Sequence, residues 1–118
     1  MAPPIQFLFQ LQTDCKMYHW QTRSMANHRT IGDLYDAIIR ITDDMIEVSM
    51  GRFGRPQMPA KTTVSVRNMT KTGMLKTLKD AQQFLDDLIF PAGASDLAAL
   101  RDDLVGAVSK ALYLMSLK

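Results

Sequence analysis

Apolar residues recur at helical spacing through four stretches of the chain, and polar or turn-forming residues separate them. The first stretch is Pro4 to Thr22. Leu8, Leu11, Cys15, Tyr18 and Thr22 fall on one face, and Pro3 and Pro4 suit a helix start, where a missing N–H costs nothing. The second is Thr30 to Phe53. Its central stripe is Ile31, Leu34, Tyr35, Ile38, Thr42, Met45 and Ser49, widened on one side by Ile39, Ile46 and Met50. At roughly 100° per residue the apolar arc covers more than half the circumference, more than one packed face needs. The extra side is therefore read either as deeper burial or as a surface for another subunit. Gly51, Gly54 and Pro56 end this helix.

Arg55 to Thr70 reads as a long connection. Pro56, Pro59 and several Thr do not sustain a helix, and the alternation at Thr63–Val66 is compatible with a strand. Helix hairpins use shorter loops, so this length predicts a crossover that leaves its two flanking helices parallel. The third helix is predicted over Thr72 to Phe90, with a seam of Met74, Leu78, Ala81, Leu85 and Leu88 and a stop at Pro91. Ser95 is the expected N-cap of the fourth, which runs from Asp96 towards Leu117 on Leu97, Leu100, Leu104, Val108, Ala111 and Met115. The expected fold is an all-α four-helix bundle, one domain over residues 1–118, with the crossover between helices two and three.

Composition narrows the function. Of 118 residues, 47% are hydrophobic and 22% charged, values of a folded globular chain. No apolar run approaches the roughly 20 residues of a membrane span. The start lacks a charged region followed by a long apolar run, so no secretion is expected. A single cysteine, Cys15, excludes an internal disulfide and fits a reducing compartment. It lies on the apolar face one turn from His19, with no third orienting group, and reads as a buried structural thiol. The net charge of +2 does not argue for nucleic acid by itself. Eleven of the twelve acids are Asp and one is Glu47, so the four-Glu di-iron site of a ferritin bundle cannot be built within one chain.

Candidate chemistry gathers on the first two helices. His19-Trp20 ends the first, and His28 precedes the second. Asp43-x-x-x-Glu47 places two carboxylates one turn apart on one face, where both reach one ion. Imidazole with carboxylate suits iron, zinc or manganese. On the helical wheel Asp43 and Glu47 lie away from Ile31, Ile38 and Met45. A site using them takes its other ligands from a neighbouring subunit. The bland alternative is a solvated ladder of mixed charge through Asp36, Arg40, Asp43 and Glu47. Arg101, bordering the fourth seam, reads as a structural side chain that snorkels or pairs.

Lys16-x-x-His19-Trp20, His28, Asp43-x-x-x-Glu47 and Gly54-x-Pro56 together resemble the signature of the Dps mini-ferritins over about half of the chain. Tyr18-His-Trp-Gln-Thr, Gly51-Arg-Phe-Gly-Arg-Pro56 and Leu112-Tyr-Leu-Met-Ser-Leu117 resemble a short ferritin-like family of phages and large DNA viruses. The resemblance implies a ferritin-like bundle and a homo-oligomer formed through the second helix. It also implies iron or a similar divalent metal between subunits, held by His19 and His28 of one chain and by Asp43 and Glu47 of the next. Trp20 and Asp33 would lie beside the site, and Fe(II) would be oxidised there. The chain departs from the family pattern in two places. The gap from His19 to His28 is nine residues, three shorter, and the carboxylate expected four residues after His28 is replaced by Gly32, with Asp33 one step on.

A second expectation comes from charge. No acid lies between Glu47 and Asp80, whereas seven basic residues do, among them Arg52, Arg55, Lys61 and Arg67. These four would meet nucleic-acid phosphates in a non-catalytic structural protein associated with DNA or virion proteins. The expected location is cytoplasmic or virion-associated.

Overall fold

The computed structural model describes residues 3–118. It is all-helical. Four helices form, α1 (Ile5–Gln21), α2 (Met25–Phe53), α3 (Lys71–Asp87) and α4 (Ser95–Ser116), and no strand forms among the described residues. Each helix packs on two others: α1 on α2 and α3, α4 on α2 and α3. The backbones of α1 and α4, and those of α2 and α3, face each other only diagonally, so around the bundle the order is α1, α2, α4, α3.

The stripes read from the sequence form the core. Leu8, Leu11, Cys15 and Tyr18 from α1 meet Ile31, Leu34, Ile38 and Met45 from α2. Met74, Leu78, Ala81 and Leu85 of α3 pack with Leu97, Leu104, Val108 and Met115 of α4. Each fully buried aliphatic side chain contributes about 1.5–3 kcal/mol, so these positions carry the fold. On α2 the stripe is turned slightly from the expected one. Ile41 is fully buried, while Tyr35 and Thr42 are half-buried.

Three helix ends differ from expectation. α2 starts at Met25, five residues before Thr30, because the Ser24 hydroxyl caps the Asn27 N–H. His28 therefore sits in the first turn of α2. α3 ends at Asp87, and residues 88–90 lie outside it. There Arg101 Nη1 donates to the Leu88 carbonyl at 2.7 Å, which satisfies that end of the helix in place of a further turn. Arg101 is structural, as expected. Ser95 is the first residue of α4 and Ala94, which is buried, holds the cap position. The Leu97 N–H is instead met by Asp96 Oδ1 at 2.9 Å. Gly54 ends α2 with φ of 87°, a conformation that favours glycine.

The connection over 54–70 contains no regular structure and lies against α1. Gln6 Nε2 donates to the Thr63 carbonyl, and the Gln10 amide both donates to and accepts from the Ser65 backbone. Gln21 accepts from the Met69 N–H at 2.7 Å and donates to Asn68 Oδ1. The alternating stretch at Thr63–Val66 thus has side-chain amides for neighbours instead of another strand. Met69 is the one buried residue of the connection.

Candidate functional site

The turn between α1 and α2 spans residues 22–24 only. This short turn brings the ends of both helices together, and it is where the two histidines meet. Their rings stack with centroids 3.8 Å apart and planes 16° from parallel. His19 Nδ1 donates to the His28 carbonyl at 2.7 Å, and His28 Nδ1 donates to the His19 carbonyl at 2.7 Å. A carbonyl only accepts, so each Nδ1 carries the proton, and in the neutral rings each Nε2 is left with a free lone pair. The His19 carbonyl belongs to the last turn of α1 and has no partner within that helix, so His28 acts as its cap. Buried Asn27 adds a hydrogen bond from Nδ2 to the Tyr18 hydroxyl at 3.2 Å.

Gly32 lies under the His19 ring. A Cβ there would stand 2.9 Å from Cε1 and 3.0 Å from Nδ1. The position where the resemblance expects a carboxylate is therefore closed to any side chain while His19 holds this place. Asp33 is exposed on α2.

Asp43 and Glu47 are exposed on α2 and make no hydrogen bond or ion pair among the described residues. They lie fifteen and nineteen residues after His28 on one helix, so about 22 Å and 28 Å along it. One chain does not bring the histidines and these carboxylates to one ion. Among the described residues no group of three or more His, Cys, Asp or Glu is placed to hold a metal. Trp20 is 65% exposed, on the outer side of α1, with Lys16 Nζ 5.5 Å from its ring centre.

The four basic residues of the second expectation divide. The Arg52 Nε donates to Asp96 Oδ1 at 2.8 Å and its Nη2 to the Gly93 carbonyl, tying the end of α2 to the start of α4. That hydrogen bond, more than any other cause, lowers the Asp96 pKa from its ordinary value. Arg67 grips Asp14, Nη2 to Oδ2 at 2.9 Å and Nε to Oδ1 at 3.2 Å. The hydrogen bond and then the charge of Asp14 raise the Arg67 pKa. Arg55 and Lys61 are exposed and unpaired among the described residues.

Asp14 is the residue that the sequence reading missed. Its side chain is 2% exposed, on the face assigned to the core, and Gln10 Nε2 completes its shell at 3.0 Å. A stripe of Gln6, Gln10, Asp14 and Gln21, at spacings of four, four and seven, was the available signal. All four receive the connection. Beside Asp14, the Cys15 thiol is buried, and burial first and the Asp14 charge second push its pKa up. It is inert as a nucleophile at neutral pH.

Between α1, α2 and the connection runs an open groove of about 450 Å³, bordered by Phe9, Lys16, Trp20, Tyr35, Val64 and Val66. Phe9, Trp20 and Val66 are exposed, as is Ile39 on the neighbouring face of α2. No helix among the described residues is long and apolar enough to cross a membrane.

Residues 19–115 match the family described as Family of unknown function (DUF5856). No curated protein and no solved structure matches the chain.

Proposed function

The chain belongs to that family, and from its geometry we propose that it is a ferritin-like bundle of the Dps type that self-associates and binds iron or a similar divalent metal between subunits. The observation that carries this reading is the reciprocal pair of Nδ1–carbonyl hydrogen bonds at His19 and His28. Metal-ligating histidines almost always donate their other ring N–H to a carbonyl or carboxylate, which fixes the ring and keeps the ligating nitrogen free. Both rings are held that way. Asp43 and Glu47 supply unpaired carboxylate oxygens, and nitrogen with oxygen donors suits iron, zinc or manganese.

The distances along α2 define the partner. His28 and the two carboxylates share an ion only if a second α2 runs antiparallel to the first, about a centre near residues 36–38. That pairing sets Glu47 of one chain opposite His28 of the other, and Asp43 opposite Gly32. The carboxylate that the His19 ring excludes from position 32 of its own helix would then come from Asp43 of the second chain. The apolar residues that widen the α2 stripe, Ile39, Ile46 and Met50, lie on the side this pairing covers. The long connection, hydrogen-bonded along α1 and joining two helices that are diagonal in the bundle, fits the crossover of such a bundle. Bound Fe(II) is the cargo here, and an oxidant would take its electrons. The chain's own residues hold the ion and orient it.

The test is anaerobic Fe(II) titration of the purified protein, with Glu47→Ala and His28→Ala beside it, and sedimentation of all three. Saturable binding that both variants lose without change in oligomeric state is the expected result. Absence of saturable binding overturns the metal reading. Strongly salt-dependent binding of DNA that Arg55→Ala and Lys61→Ala weaken would favour the structural, nucleic-acid-associated reading instead.

A further inference from the structure

The connection carries unpaired backbone groups beside the groove, and we propose that these groups and the groove bind an extended, acidic peptide segment of another protein by strand addition. The connection from Thr63 to Met69 follows α1 without helix or turn. Its backbone contacts to α1 fall on residues of one parity, Thr63, Ser65 and Met69, which is the pattern of an extended chain. In an extended chain successive residues direct their N–H and C=O groups to opposite edges. Thr63, Ser65 and Met69 supply the backbone groups that bond to Gln6, Gln10 and Gln21. The backbone N–H and C=O groups of Val64 and Val66, on the other edge, have no partner among the described residues. Such an edge is a template for another strand.

Charge identifies the occupant. Lys16 is the only charged side chain bordering the groove among the described residues. Its Nζ lies 4.5 Å from the centre of the Tyr35 ring and 5.5 Å from that of Trp20, and no carboxylate pairs with it among the described residues. The chain from Val48 to Lys79 contains no acid. Lys61 is unpaired close by in sequence. A ligand here therefore carries negative charge. A second copy of this segment would bring the unpaired Lys61 of both chains together with no carboxylate to offset them, which opposes self-pairing. A nucleic acid supplies the charge, but its backbone has no N–H donors to set against the Val64 and Val66 carbonyls. A peptide backbone offers donor and acceptor alternately, at the repeat this edge presents. Its apolar side chains would enter the groove, lined by Phe9, Val64 and Val66, and an acidic one would reach Lys16 at the groove's border.

The test uses the emission of Trp20, the sole tryptophan, and the amide resonances of residues 63–69. The probe is an end-blocked hexapeptide of alternating valine and glutamate, compared with its valine–lysine counterpart and with an oligothymidylate. Saturable change in Trp20 emission with shifts at Val64 and Val66 is expected for the glutamate peptide only. Val66→Pro removes one free N–H without touching the Ser65 contacts, so it should weaken binding about three- to tenfold, with the Ser65 and Met69 amides unmoved. Lys16→Glu should weaken it by a similar factor and give the lysine peptide an affinity it lacked. The proposal fails if the glutamate peptide leaves both probes unchanged at millimolar concentration. It also fails if the oligothymidylate binds as tightly, or if sedimentation shows a dimer that Val66→Pro dissolves and the peptide does not.

Discussion

Replacing Gly32 with Ala adds one carbon to α2, and its effect on stability should reverse sign according to what stands opposite. In an ordinary helix interior the change stabilises by about 1 kcal/mol, because glycine is the poorer helix former. Here the new Cβ would stand 2.9 Å from His19 Cε1 and 3.0 Å from Nδ1. Ordinary contact is about 3.5–4.0 Å, so the ring must retreat by roughly 0.6 Å or more. It is not free to do so, since the His28 ring stacks on it at 3.8 Å and its Nδ1 is bonded at 2.7 Å. Overpacking costs about 1–3 kcal/mol, and each strained hydrogen bond puts a further 0.5–1.5 kcal/mol or so at stake. Against the propensity gain, the net destabilisation is about 1–3 kcal/mol. In a His19→Ala background the obstacle is gone, and the same substitution should stabilise by about 1 kcal/mol. Urea unfolding followed by circular dichroism on the four proteins of the cycle measures both. Gly32→Ala should lower the midpoint in the native background and raise it in the other, a coupling of about 2–4 kcal/mol. A rise of equal size in both backgrounds would refute the claim that the imidazole closes this position.

Three further outcomes follow from the same contacts. Arg67→Ala leaves the nearly buried Asp14 carboxylate with Gln10 alone, and breaking a buried pair costs about 3–5 kcal/mol. Because half of the Arg67 side chain is exposed and water can reach the gap, about 2–3 kcal/mol is expected in urea unfolding, with Arg67→Lys a partial rescue since it cannot grip both oxygens. Cys15 should resist an aromatic disulfide reagent at pH 8 in the folded protein and react once urea unfolds it, and rapid labelling of the native chain would contradict its burial. Asp96 should titrate below 3.8 by carboxyl-carbon NMR, and Arg52→Ala should move its midpoint up. A depressed carboxyl pKa stabilises the fold above the unfolded value and loses that contribution as pH falls through the folded one, so the Arg52→Ala protein should lose less of its stability on acidification below about pH 4.

Helix periodicity carried most of the fold, since Leu8, Ile38, Leu78 and Leu104 each have apolar neighbours three or four residues away and each is fully buried. What escaped is what periodicity does not encode. The first turn of α2, Met25-Ala-Asn-His-Arg, has no apolar repeat, and its presence is decided by the Ser24 cap. Asp14 sits among core positions on α1, and its place there makes sense only with Arg67, 53 residues away. At the candidate site the residue types were legible but their relations were not. His19 and His28 read as two separate ligands, and Gly32 as a missing one, whereas the short turn stacks the rings and the glycine makes room for one of them.

The glutamine contacts along α1 also bear on the order of folding. The α1–α2 hairpin closes a turn of three residues, and loops that short close early. The contacts that seat the connection join residues 47 to 57 apart, so they wait on a long closure that local pairing does not require. Substitutions at Gln6, Gln10 or Gln21 should therefore leave the refolding rate nearly unchanged and speed unfolding. The seam between the connection and α1 then governs how long the native bundle lasts, while the α1–α2 hairpin bears on how soon it forms.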